Sequence, residues 1–108
     1  MGAVAGEGPV MQLFYDRDGR PIGRVEWQLL LMSGEGYERI AETTIGDVYV
    51  STVWLGLNHA AYVGEPPLIF ETMIFGGCDD GYQCRYSSES AAIEGHETTV
   101  AWQRAMLE

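Results

Sequence analysis

The sequence predicts an α+β domain: a curved antiparallel sheet of four to five strands with two helices on one face, in the order β-α-β-β-β-β-α. Three observations carry that expectation. Two β-favouring runs, Val48 to Leu55 and Leu68 to Phe75, sit close together in the middle of the chain. Segments with helical apolar spacing flank the strands. The links between consecutive strands are short and rich in Gly and Asp, which favours antiparallel pairing.

Each element has its own signal. Residues 1–10 are small and Gly-rich without periodicity and read as a flexible arm, leaving 11–108 as a single domain. Met11 to Tyr15 reads as a short strand, ended by the turn chemistry of Asp16-Arg17-Asp18-Gly19. Pro21 is expected to open the first helix. Val25, Leu29 and Met32 repeat there at i, i+4 and i+7, Trp27, Leu30 and Leu31 widen the stripe, and Gly34-Glu35-Gly36 stops it. Tyr37 to Ile45 alternates weakly, Gly46-Asp47 turns the chain, and Val48 to Leu55 is the strongest strand. Gly56 to Pro67 is a loop, Leu68 to Phe75 a strand, Gly76 to Gly81 a turn and Gln83 to Tyr86 a short last strand. Ser87 or Ser88 caps the final helix, with Glu89 at its positive end and Gly95 as a weak point. Along that helix Ile93, Val100 and Leu107 form one stripe, and Ala92, His96, Thr99, Gln103 and Met106 an adjoining one.

Sixteen acids face six bases, for a net charge of −10, and all six bases are arginine. A chain this negative repels nucleic-acid backbones and anionic lipid surfaces, so neither direct nucleic-acid binding nor membrane association is expected. It is steered toward basic surfaces, including the nucleic-acid grooves of other proteins, unless the charge serves solubility alone. No apolar run approaches the ~18 to 20 residues that cross a bilayer. No charged-then-apolar leader opens the chain, so a reducing bacterial cytoplasm is the expected setting. Cys78 and Cys84 are then free thiols by default, with a hairpin disulfide or a metal site as alternatives. No cofactor or metal is expected.

The two central strands are apolar on both faces, and two short helices can cover only one. The other face must curl, self-associate or bind a partner, and a symmetric dimer is the simplest solution. Glu71 stands alone in an otherwise uncharged strand: solvated, ion-paired, or buried as an acid or base. With His59 or His96 it could form a polar catalytic site, although no metalloprotease, nucleophile-elbow or phosphate-loop pattern is present. Glu89, Glu94 and Glu97, extended by Asp79 and Asp80, form a run of acids with no base four residues on. Such a run is either a solvated face or an imitation of phosphates, and with Trp54 as an aromatic anchor it is the candidate partner-binding surface.

Several blocks have a familiar arrangement: Tyr15-Asp16-Arg17-Asp18-Gly19-Arg20-Pro21-Ile22, Val50 to His59, Pro67 to Gly76, Arg85-Tyr86-Ser87 and Gly95-His96-Glu97. Together they resemble a small protein family common in actinobacterial genomes and their phages, over residues 13–104. Relatives in that family have a polar residue near Gly23 and a longer acidic turn near Gly77. The resemblance implies a phage or prophage setting and supplies no catalytic residue. Three functions follow as expectations. The first is an inhibitor of a host protein complex, such as a nucleic-acid-binding defence effector blocked in the manner of an anti-CRISPR protein. The second is a homodimeric structural or accessory protein. The third is a small enzyme using Glu71 with His59 or His96.

Overall fold

The computed structural model describes residues 12–60, 62 and 64–107. The expected arm at 1–10 lies outside the described residues. The chain is α+β, with strands β1 (Phe14–Tyr15) and β2 (Pro21–Ile22), helix α1 (Arg24–Leu31), strands β3 (Arg39–Ile45), β4 (Val48–Trp54), β5 (Phe70–Phe75) and β6 (Gln83–Tyr86), and helix α2 (Glu89–Met106). The last four strands form one antiparallel sheet in the order β3-β4-β5-β6, and β1 pairs with β2 in a separate hairpin.

The anticipated order holds, with one addition. Pro21 does not open the helix; it pairs with Tyr15 in β2. The reason is the preceding turn. The Asp16 carboxylate accepts the backbone N–H groups of Asp18 and Arg20, both at 2.9 Å, and so closes a hairpin. The helix starts after Gly23 instead.

Alternation along β4 sets the core. Val48, Val50, Thr52 and Trp54 are all buried, while Tyr49, Ser51 and Val53 between them are half-buried. The buried side carries α2, which touches all four strands. On α2 the buried residues are Ala92, His96, Thr99, Val100 and Gln103, whereas Ile93 and Leu107 are exposed. One apolar cluster joins Val48, Val50, Ile74 and Val100; a second gathers Trp54, Ile69, Phe70 and Ala92.

Helix α1 joins the second cluster through Trp27 and Leu30. The stripe expected to face the core does the reverse: Val25, Leu29 and Met32 are 67%, 65% and 80% exposed. Trp27 sets the phase of this short helix. Its indole Nε1 donates to the Leu55 carbonyl at 2.9 Å, and its ring lies 4.8 Å from that of Phe14. Gly56 makes that approach possible, since a Cβ there would lie 2.5 Å from atoms of both Trp27 and Trp54.

The face opposite α2 is not a bare apolar patch. Glu71 and Arg85 are directly opposed on β5 and β6. Tyr49 and Phe75 pair at 6.0 Å, and the Tyr49 hydroxyl donates to Glu42 at 3.1 Å. Polar groups thus surround half-buried Val53 and Met73.

Gly95, read as a weak point of α2, is a notch. A Cβ at this position would lie 2.2 Å from the Tyr86 hydroxyl oxygen and 2.4 Å from the ring carbons beside it. Alanine should favour the helix by ~1 kcal/mol, but overpacking costs about 1 to 3 kcal/mol. We expect Gly95→Ala to lower stability in chemical denaturation, and to raise it when Tyr86 is also Ala. A destabilisation of equal size in both backgrounds would contradict the notch.

Candidate functional site

The sequence offers two candidate sites, a polar one and an acidic one. Strand alternation separates the members of the first. Glu71 lies on the sheet face away from α2, 8% exposed, and its carboxylate accepts from Arg85 Nε at 3.0 Å. Its strand neighbour Thr72 faces α2. His96 projects from α2 toward that same inner face and is 5% exposed. His59 is exposed in the loop after β4, where its backbone N–H donates to the Leu68 carbonyl at 3.0 Å. The structure therefore brings neither histidine to Glu71.

What it does assemble is a hydroxyl chain around His96. Thr43 Oγ1 lies 2.9 Å from His96 Nε2, and Thr52 Oγ1 lies 2.7 Å from Nδ1. Thr52 Oγ1 is in turn 2.6 Å from Thr72 Oγ1, which accepts from the Tyr86 hydroxyl at 3.1 Å. β3, β4, β5 and β6 supply one side chain each, and α2 supplies the imidazole. Burial pushes the imidazole pKa down from 6.5, against a smaller upward pull from Glu97. Burial also pushes the Tyr86 phenol up from 10.0.

Clefts lie on both flanks of α2. One, of about 230 Å³, is lined by Thr43, His96, Glu97, Val100, Ala101 and Arg104. The other, of about 300 Å³, includes Tyr82, Cys84, Tyr86, Glu94 and Gly95. Among the described residues no group of three His, Cys, Asp or Glu side chains is arranged to hold a metal ion. Cys78 is exposed and Cys84 half-buried, both as free thiols. No described helix is long and apolar enough to cross a membrane.

The acidic site divides. Glu94 and Glu97 stand exposed on α2. Asp79 accepts from Gln103 Nε2 at 3.0 Å, and Asp80 accepts from the Gly76 backbone N–H at 2.7 Å. Glu89 is committed inside the fold: Arg17 donates to both its oxygens, at 2.9 and 2.7 Å, tying the β1–β2 turn to the start of α2. Trp54 is no surface anchor. It is 1% exposed, because it shares the inward phase of β4, and its Nε1 donates to the Tyr15 carbonyl at 3.0 Å. Comparisons with family models, with curated proteins and with solved structures returned no match.

Two outcomes follow for the ion pairs. Arg17 holds the Glu89 carboxyl below its ordinary 4.5, so the pair's stabilisation is complete above that pH and is lost as the pH falls through the folded value. Arg17→Ala should cost about 1 kcal/mol near neutrality. The gap from wild type should close in acid, as followed by urea unfolding across pH. Arg85→Ala leaves the Glu71 carboxylate buried beside no cation and should cost about 1 to 3 kcal/mol. Replacing Glu71 with Leu in that background should recover most of the loss; a further loss in thermal unfolding would contradict this role for the pair.

Proposed function

We propose that this chain is a protein-binding module that occupies a basic surface on a partner, and that its target is a nucleic-acid-binding host complex inhibited in the manner of an anti-CRISPR protein. One observation supports the reading most directly. Four of the six arginines are held in internal ion pairs: Arg17, Arg20, Arg39 and Arg85. Ten of the 16 acids but only three of the arginines lie between residues 39 and 108, the stretch that forms the sheet and α2. Most of the cations are paired with acids of the same chain, and Glu94 and Glu97 stand exposed on α2. A negative field raises the association rate with a positive surface and excludes free nucleic acid. The resemblance to a family of actinobacterial and phage proteins supports a phage or prophage setting and a bacterial cytoplasmic site of action.

The homodimeric accessory reading and the enzyme reading have less support. The face away from α2 is broken by an ion pair, and Glu71 is engaged by Arg85 rather than by a histidine.

The test is a tagged pull-down from a nuclease-treated bacterial lysate carrying active CRISPR–Cas complexes, followed by titration of the purified partner. A stoichiometric nucleic-acid-binding subunit should return, and added nucleic acid should compete with the chain for it. Glu94→Lys combined with Glu97→Lys should weaken binding roughly tenfold or more at low salt and flatten its salt dependence. Recovery of the bait alone would refute the inhibitor reading, and a bait recovered as a stoichiometric dimer would establish the accessory one.

A further inference from the structure

We propose that His96 is the proton-binding end of a reversible hydroxyl relay, through which protonation beside one cleft of α2 is read out at Tyr86 in the cleft on the other flank. The direction of this relay follows from where each hydrogen can go. The Tyr86 hydroxyl donates to Thr72 Oγ1. Thr72 is fully buried and its own hydrogen has no acceptor but Thr52 Oγ1 among its partners, so it goes there, and the Thr52 hydrogen goes to His96 Nδ1. Nδ1 is then an acceptor, the imidazole hydrogen sits on Nε2, and it donates to Thr43 Oγ1. The neutral histidine thus completes a one-way chain, and the one hydrogen left over is that of Thr43, which is half-buried on the cleft and open to solvent.

A proton added at Nδ1 meets the Thr52 hydrogen head-on. Two hydrogens cannot share that gap, so Thr52 must turn its own back toward Thr72. Thr72 then turns toward Tyr86, and the Tyr86 hydrogen swings out into the cleft with Tyr82, Cys84 and Glu94. One proton is taken up, none is released, and three hydroxyls reverse. Thr52 and Thr72 are 0% exposed, so no water offers their hydrogens another exit. Each has its bonding partners within the chain alone.

The surroundings set the relay's sign. On α2, Glu97 and Arg104 share the His96 cleft, one favouring the cation and one opposing it. On β3 the inward group is Thr43, and Glu42 pairs with Arg39 and Tyr49 on the opposite face. On β5 Glu71 also lies opposite, held by Arg85. β6 contributes Cys84 and Tyr86 at the far end. No carboxylate bonds the imidazole among the described residues, and burial keeps it neutral until the pH falls below its ordinary 6.5.

The experiment is an NMR titration of the full chain carrying His59→Gln, from about pH 8 to about pH 4.5, a span that brackets the ordinary histidine range. The His96 imidazole and the Tyr86 ring are followed together, with the amide spectrum reporting the fold. Tyr86 should shift with the midpoint of His96. In Thr72→Val, His96 should still titrate while Tyr86 falls silent. In Tyr86→Phe, whose ring still fits beneath Gly95, the charged form loses its last acceptor. The His96 midpoint should then drop by about half to one pH unit, the effect of one buried hydrogen bond. A Tyr86 signal that ignores the His96 titration overturns the relay. So does an unchanged midpoint in Tyr86→Phe, or a Tyr86 response that survives in Thr72→Val. Should Thr72→Val not fold, wild type and Tyr86→Phe decide the question between them.

Discussion

The structure depends on satisfying polar groups beneath α2. That helix lays His96, Thr99 and Gln103 against the sheet, with only Ala92 and Val100 as buried apolar partners. An interface of this composition gains little from area alone and is costly wherever a donor is left unmet. Every buried side-chain nitrogen and oxygen among the described residues has a partner. Gln103 reaches Asp79, the Thr99 hydroxyl returns to the Gly95 carbonyl, and His96 is held at both ring nitrogens. Sliding α2 by one residue would break the Gln103 and His96 bonds at once, while the Thr99 bond, internal to the helix, would travel with it. Polar matching therefore fixes the register of the helix, while the aliphatic clusters supply the bulk of the burial.

The same economy governs charge. With six arginines and no lysine, each cation is a planar fork able to hold a carboxylate through more than one bond. Arg17 uses that geometry to clasp the hairpin to α2, and Arg85 uses a single Nε bond to partner a buried carboxylate within a strand. One arginine thus joins two elements and the other spans two strands. The surplus acids are left to act on whatever approaches.

Much of this was legible in the sequence. The β-favouring run of Val48 to Leu55 announced the strand though not which of its faces is buried, and the stripe of Ala92, His96, Thr99, Gln103 and Met106 marked the inner face of α2 in all but its last member, which is exposed. Legibility failed where one side chain outweighed a pattern. In α1 the spacing of Val25, Leu29 and Met32 was helical, but Trp27 carried the hydrogen bond and the ring contact, and it turned the stripe outward. Trp54 read as a surface anchor by residue type, although it shares the phase of Val48 and Val50 on β4. The threonine chain around His96 was invisible because its members come from four separate strands. Only the pairing register brings Thr43, Thr52, Thr72 and Tyr86 under one helix. No spacing along a chain encodes that.

The two cysteines end in different places, and this has a practical consequence. Cys78 stands open on the β5–β6 turn, whereas Cys84 sits half-buried on β6 beside Tyr82 and Tyr86, in the angle between sheet and helix. An alkylating reagent meets the first thiol at once and the second more slowly, through the cleft beside α2. The delay between the two modifications is therefore an internal gauge of access to that cleft. It needs no introduced label, and it sits in the same interface whose hydroxyls surround the buried imidazole.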